Sequence, residues 1–241
     1  MSLLVLVRHG KASAFSQHGY DELSAPGFAQ ARALGEWWAE QRIAFDRIYV
    51  GPRKRHAQTF DTVAEVMRAR GAPLPSPIAL DELDEHEGIK LVFTMIPIVA
   101  KEDETVRPAA DALARGELPP ASELLAVFRR ITRRWARGEL NHHEVESFSK
   151  FRRRIERGLA VIAKGAQRGE TIAAFTSAGA VAAAAGLALE ITDEKVLDLS
   201  WALHNGSLSE LSLHGTSEPS WGLKSFNGTP HLRDPALVTS V

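Results

Sequence analysis

The sequence predicts an α/β protein in which helices cover both faces of a mostly parallel central sheet, a three-layer α/β/α sandwich. The first observation is the continuous apolar run Leu-Leu-Val-Leu-Val at residues 3–7, which is typical of a strand buried on both faces. The second is that strand-like and helix-like segments alternate between residues 3 and 80. The third is a late apolar strand over 170–177, followed directly by a helix-like run of small residues. Such alternation is typical of parallel pairing with helical crossovers.

The first helix has the clearest local signals. Ser24 is a suitable N-cap residue, and Pro26 falls in the first turn, where proline is tolerated. Its apolar residues recur at helical spacing: Phe28, Ala31, Leu34 and Trp38. Three further elements follow in order: a strand over 45–50, a helix over 53–71 that stops at Gly71, and a short strand near Ile78–Leu80.

The second half predicts a helical insertion and then a return to the sheet. Residues 89–145 are mostly helical, with breaks at 117–120 and 138–143, and we expect them to cover one edge of the sheet. An amphipathic helix follows over 146–165, with the apolar stripe Phe148, Phe151, Ile155, Leu159 and Ile162. After the late strand and its helix, residues 205–228 alternate and turn like a β-hairpin. Without repeats or a linker, the sequence predicts one domain over residues 1–241.

Composition limits the possible functions. The net charge is −1, from 29 Lys+Arg and 30 Asp+Glu, so bulk charge does not indicate nucleic-acid binding. The absence of cysteine excludes disulfides, thiol catalysis and cysteine-ligated metals, and suits a reducing compartment. The apolar stretch 177–190 is too short to cross a bilayer, and the N-terminus lacks the basic region of a signal peptide. We therefore expect a cytoplasmic protein without a nucleic-acid or membrane partner, whose oligomeric state is open.

Three loops at strand ends contain residues suited to binding an anion. Arg8 and His9 follow the first strand, residues 51–59 follow the second, and residues 176–180 follow the late strand. Ligands of open α/β sheets bind beyond the carboxyl ends of the strands, so we expect these loops to meet. Two arginines from separate loops can grip a phosphate, and a histidine beside them can act as its nucleophile. For the first loop the alternative is a surface turn that contains basic residues, and for the second it is a solvated basic start of a helix.

Five segments, in the same order, resemble the histidine phosphatase superfamily, in the branch that includes cofactor-dependent phosphoglycerate mutases and many small phosphatases. These segments are LVRHGKAS (6–13), LSAPGFAQARALG (23–35), GPRKRHAQT (51–59), ESFSKFRRRIERGL (146–159) and SFNGTPHL (225–232). The resemblance covers nearly the whole chain, and it implies a phosphoglycerate mutase-like fold.

The resemblance also implies roles for individual residues. His9 would be the nucleophile that accepts a phosphoryl group, and Arg8 and Arg55 would bind that group. An acid that protonates the leaving alcohol is implied in the acidic loop after the third strand, at Glu85 or Glu82. We prefer Glu85, because it comes later in the loop and is followed by a turn-like His-Glu-Gly.

The chain departs from the family at one position. The family usually has a second histidine after the late strand, and Ser177 stands there in this sequence. A serine hydroxyl can donate one hydrogen bond, and the backbone N–H groups of Ala178 and Gly179 can add more. We expect the loss of a charged donor to cost roughly 10²–10³-fold in rate. His204 is a less favoured source of the missing imidazole, and His56 is assigned to the pocket rim.

These interpretations predict a phosphatase of small phosphomonoesters that works through a phosphohistidine. No cofactor and no metal are expected, because the arginines supply the positive charge. A phosphoglycerate mutase is one alternative. A catalytically weak protein that binds a phosphorylated ligand as a scaffold is another, and Ser177 is the feature that favours it.

Overall fold

A computed structural model of the chain describes residues 1–13, 21–215 and 219–240. The chain divides into two compact units. One comprises Met1–Glu85 with Arg154–Val241, and the other comprises His86–Arg153. That the whole chain is one domain, with its helical insertion on a sheet edge, stays a prediction.

The first unit contains a six-stranded sheet in the described part of the chain. The strands are β1 Ser2–Arg8, β2 Arg47–Val50, β3 Pro77–Ala79, β4 Thr171–Thr176, β5 Leu208–His214 and β6 Ser220–Gly228. Their order across the sheet is β3-β2-β4-β1-β5-β6. The first four in that order pair in parallel, and β5 pairs antiparallel with β1 and β6. The predicted fold class and the C-terminal hairpin are therefore confirmed.

The described residues form eight α-helices. They are α1 Ala25–Glu40, α2 Lys54–Ala69, α3 Gly88–Val99, α4 Arg107–Ala114, α5 Ala121–Ala136, α6 Phe148–Lys164, α7 Ala178–Ala188 and α8 Asp193–Ala202. Each predicted helix is present with its ends shifted by a few residues, and α8 was not predicted. None of these helices is long and apolar enough to cross a membrane.

Two helices cover one face of the sheet for reasons visible in the sequence. The hydroxyl of Ser24 accepts a hydrogen bond from the Gly27 N–H and starts α1 as predicted. Alternate residues of the buried strands point to the same face of the sheet. On one face, β-strand residues form a core with side chains of α1 and α2: Val5, Val7, Ile48, Val50, Ala173 and Phe175 with Leu34, Trp38, Phe60 and Val63.

The opposite face of the same strands is also buried, as the continuous apolar runs predict. Leu4, Leu6 and Ala174 are each 1 % exposed or less. The small-residue helix α7 contacts β1, β5 and β6, and residues 179–186 along it are all buried. Alanine and glycine let this helix lie close to the sheet, so the strands have helices on both sides.

The second unit is helical, as the sequence predicts for residues 89–145. It contains α3, α4, α5 and the first residues of α6, and the predicted breaks at 117–120 and 138–143 fall outside the helices. The ring of His86 packs against Trp135 and Phe151 in its core. The stripe predicted for α6 is buried along its length: Phe148, Phe151, Ile155, Leu159 and Ile162.

Candidate functional site

Three strands end at one edge of the sheet, so the loops that follow them meet. Arg8 pairs in register with Thr176, and Val50 pairs with Phe175. Beyond the ladder, the His9 N–H donates to the Thr176 carbonyl at 2.9 Å. The register of β1, β2 and β4 therefore brings together the three loops that follow these strands, which are the loops that the sequence indicates as an anion site.

His9 is buried, and both of its ring nitrogens are hydrogen-bonded. Its Nδ1 donates to the Gly10 carbonyl at 2.7 Å, so Nε2 is the unprotonated nitrogen of the neutral ring. The Nε–H of Arg55 donates to that Nε2 at 3.0 Å. Burial, and then the charges of Arg55 and Arg8, lower the pKa of His9 well below its usual value. The imidazole is therefore neutral in this environment.

Two buried guanidinium groups provide the positive charge of the site. Arg8 Nη1 donates to the Leu203 carbonyl. The Asn205 amide is oriented so that its nitrogen donates to Thr239, and in that orientation Arg8 Nη2 donates to Asn205 Oδ1 at 3.1 Å. Arg8 is 2 % exposed and Arg55 is 5 % exposed. Two buried cations beside a neutral histidine favour an anionic ligand.

An aspartate that the sequence analysis did not single out partly offsets the charge of Arg55. Asp21 Oδ1 lies 2.8 Å from Arg55 Nη1, and its other oxygen accepts from the Lys54 N–H at the start of α2. The Asp21 side chain is 44 % exposed, whereas that of Arg55 is 6 % exposed. Water screens the carboxylate more than the guanidinium, so a net positive charge remains inside the pocket.

Ser177 lies at the N-cap of α7, directly after β4. Its Oγ lies 3.4 Å from Arg55 Nη2 and 2.6 Å from His56 Nε2. His56 is fully buried instead of lining the rim. Burial, followed by the charge of Arg55, lowers the pKa of His56 to about 3. The second imidazole of the site therefore comes from α2.

The structure separates the two candidate acids. The N–H of Gly179 donates to Glu85 Oε2 at 3.1 Å, which places the Glu85 carboxylate at the N-terminus of α7 beside Ser177. That end of a helix favours negative charge, and Ala178 is its first residue. Glu82 packs towards α6, since a Cβ added to Gly158 would lie 2.9 Å from the Glu82 Cβ. Of the two, Glu85 lies at the strand ends.

The remaining histidines with observed partners bond elsewhere. The Nδ1 atom of His204 lies 3.0 Å from Ser240 Oγ, so its hydrogen bond is not made to Ser177. The rings of His142 and His143 stack on each other in a loop of the second unit, 4.4 Å apart. Among the residues that the structure describes, no three His, Cys, Asp or Glu side chains form a cluster that could hold a metal ion.

Comparison with known proteins identifies the family. A family model described as "Histidine phosphatase superfamily (branch 1)" matches residues 4–92 and 115–227. A 2,3-bisphosphoglycerate-dependent phosphoglycerate mutase of Bradyrhizobium diazoefficiens is 32 % identical over 87 residues, which are 34 % of this chain and 42 % of that protein. The alignment thus spans less than half of the curated relative's length.

Solved structures share the fold at lower sequence identity. A mycobacterial glucosyl-3-phosphoglycerate phosphatase matches with a TM-score of 0.61 and 21 % identity, covering 94 % of this chain and 98 % of that chain. A Bacillus stearothermophilus protein named YhfR matches with a TM-score of 0.65 and 16 % identity, covering 97 % and 100 %. These similarities extend over nearly the full length of each chain and support the phosphoglycerate mutase-like architecture.

Proposed function

The chain belongs to the histidine phosphatase superfamily, and from this premise we propose that it is a phosphatase of small phosphomonoesters. The observation that carries the proposal is the hydrogen bond from the Arg55 Nε–H to His9 Nε2 at 3.0 Å. It places a lone pair on a neutral ring directly beside a buried guanidinium group. This arrangement presents a nucleophile and a binding group to the same phosphorus atom.

In the first step, His9 Nε2 attacks phosphorus and the bond between phosphorus and the ester oxygen breaks. A phosphoryl oxygen replaces His9 Nε2 as the acceptor of the Arg55 Nε–H. Arg8 offsets the remaining charge. Protonated Glu85 gives its proton to the leaving alcohol. The products of this step are the alcohol, a phosphorylated His9 and an ionised Glu85.

In the second step, a water molecule attacks the phosphoryl group and the N–P bond breaks. Glu85 takes a proton from that water, which returns Glu85 to its acid form and restores neutral His9. Glu85 lies beside Ser177 with its Oε2 bonded to the Gly179 N–H, which places it where both proton transfers take place. The backbone N–H of Ala178 and the hydroxyl of Ser177 complete the phosphate-binding group.

The proposal places the chain in a subfamily in which serine replaces the second histidine. The buried arginines supply the charge that offsets the phosphoryl group, and we propose turnover without a metal ion. The lack of cysteine agrees with the proposed cytoplasmic location. A small phosphorylated metabolite is the proposed partner, and nucleic acid and membranes are not.

Hydrolysis of an aryl phosphate by wild type and His9→Ala tests the enzyme directly. We expect turnover in the wild type, with or without a chelator, and its loss in the variant. Brief incubation with labelled substrate should give an acid-labile, base-stable phosphoprotein that His9→Ala lacks. His143→Ala is the matched control, because His143 is exposed in a loop of the second unit. Unchanged turnover in His9→Ala would refute the mechanism.

The similarity to a phosphoglycerate mutase over 87 residues favours mutase activity as a second candidate. Interconversion of 3- and 2-phosphoglycerate, primed with 2,3-bisphosphoglycerate, would support it. Faster release of inorganic phosphate than of the isomer would favour the phosphatase. Binding of phosphate without either reaction would support the scaffold alternative.

A further inference from the structure

Residues 237–239, which follow β6, are joined through two buried residues to the support of the phosphate pocket. The backbone N–H of Asn205 donates to the Thr239 carbonyl at 2.8 Å, and Gln30 Nε2 donates to the Leu237 carbonyl at 2.7 Å. Asn205 is 3 % exposed and Gln30 is 0 % exposed. The backbone of the segment is therefore docked on Asn205 and Gln30.

The hydroxyl of Thr239 is the point where the two amide side chains meet. Gln30 Nε2 donates to Thr239 Oγ1 at 2.9 Å. In the orientation in which the Asn205 oxygen faces Arg8, the Asn205 nitrogen donates to the same Oγ1 at 3.0 Å. A hydroxyl oxygen accepts two hydrogen bonds, so these two donors fill its capacity as an acceptor. Each amide is thereby held with its nitrogen towards Thr239.

The oxygens of the same two amides hold groups on either side of the proposed nucleophile, His9. Asn205 Oδ1 accepts from Arg8 Nη2 at 3.1 Å. Gln30 Oε1 accepts from the backbone N–H of Lys11 at 2.8 Å. Arg8 directly precedes His9 and Lys11 follows two residues after it. A continuous series of hydrogen bonds therefore runs from Thr239 to the guanidinium group of the pocket.

We propose that Thr239 is a positioning residue that acts on Arg8 through Asn205. Its hydroxyl fixes the plane of the Asn205 amide, and the amide oxygen then fixes Arg8 Nη2. The guanidinium group is thereby held where it meets the phosphoryl group of the substrate. The inference deepens the proposed function and rests on the part that Arg8 plays in it.

Removing the hydroxyl should loosen Arg8 without releasing the segment. In Thr239→Val the Thr239 and Leu237 carbonyls remain, and with them the two bonds that dock the backbone. Gln30 Nε2 keeps the Leu237 carbonyl at 2.7 Å as an acceptor. The Asn205 nitrogen keeps only the Thr239 carbonyl at 3.3 Å, which is long for an N–H···O hydrogen bond. The loss of orientation therefore falls mainly on Asn205 and on the Arg8 group that it holds.

Aryl phosphate turnover and calorimetric titration with inorganic phosphate test the inference in the full chain. Because misplaced binding groups slow reactions steeply, we expect kcat/KM to fall about tenfold in Thr239→Val. The Kd of inorganic phosphate should rise in the same variant. Thr239→Ser keeps the hydroxyl and should restore both values. Ser240→Ala is the matched control, because it removes an exposed hydroxyl from the next residue, whose Oγ lies 3.0 Å from His204 Nδ1.

A double-mutant cycle with Arg8→Lys separates this role from a general structural one. Lysine keeps the positive charge but lacks the Nη2 atom that Asn205 holds. If Thr239 acts through Arg8, then Thr239→Val should change kcat/KM and the phosphate Kd by less than about twofold in the Arg8→Lys background. An equal loss in both backgrounds would show a structural role and overturn the inference.

The two readouts distinguish failure of the inference from failure of the proposed function. Wild-type kinetics and phosphate binding in Thr239→Val refute the inference and leave the phosphatase intact. Phosphate binding without turnover in the wild type refutes the phosphatase, and the Kd values then still test Thr239. A wild type that neither binds phosphate nor turns over refutes both. If Thr239→Val fails to fold, Thr239→Ala takes its place, and failure of that variant as well overturns the inference.

Discussion

Replacing the buried His231 should reduce the free energy of unfolding that the protein loses when the pH is lowered. His231 follows β6, is 4 % exposed, and packs beside the ring of Trp37. Burial lowers the pKa of His231 to about 4. In the unfolded chain the same ring has its ordinary pKa of about 6.5. Between these two values the unfolded state binds more protons, so folding stability falls as the pH falls from 6.5 to 4.

The size of this effect follows from the two pKa values. At pH 7 the unfolded ring is mostly neutral, and the linkage contributes little. At pH 5 the unfolded ring is protonated and the folded ring is still mostly neutral. The difference in the free energy of unfolding between pH 7 and pH 5 is about 2 kcal/mol for this one side chain. Below the pKa of about 4 that His231 has in the folded protein, its contribution to the free energy of unfolding changes no further.

Urea unfolding at pH 7 and pH 5 measures this difference. In His231→Gln, which keeps a polar side chain but does not titrate, the loss of unfolding free energy between the two pH values should be about 2 kcal/mol smaller than in the wild type. His143→Gln removes an exposed ring and should lose as much as the wild type does. Equal losses in His231→Gln and wild type would refute the reasoning from burial.

Three further substitutions test the pocket and its support. Gly27→Ala would place a Cβ against the Lys11 carbonyl oxygen, so the loop after His9 must move. We expect kcat/KM to fall at least about tenfold, and wild-type kinetics would contradict this. Asp21→Asn removes the negative charge that lies beside Arg55. Inorganic phosphate should then inhibit the variant roughly threefold more strongly than the wild type, and weaker inhibition would count against an anion site. Phe175→Ala removes a fully buried ring and should lower the free energy of unfolding by about 3–5 kcal/mol in urea titration, while a loss under 1 kcal/mol would contradict the packing.

The fold could be predicted where burial imposes a regular pattern. The strand at residues 3–7 is apolar on both faces, and the helix that starts at Ser24 has both a cap and a periodic stripe. In α8 only Val196 and Leu197 are buried, and two adjacent residues give no helical spacing. This helix follows α7 closely and contacts it, so tertiary packing stabilises it more than its own pattern does.

The site could be predicted where strand ends bring residues together. Arg8, His9 and Ser177 adjoin the parallel strands β1 and β4, so sheet topology alone places them at one edge. Asp21 reaches Arg55 from 34 residues earlier, and no local pattern indicates such a contact. The preference for Glu85 over Glu82 depended on how the acidic loop turns, which the structure supplies.

The buried position of His56 was missed because a motif records positions along the chain and not directions in space. His56 follows Arg55 on α2, and successive residues of a helix point about 100° apart. The Arg55 Nε–H reaches His9, whereas the His56 ring reaches Ser177, whose hydroxyl also lies 3.4 Å from Arg55 Nη2. Since β2 and β4 are neighbouring strands, a side chain from the helix after β2 and one from the loop after β4 meet in the same pocket.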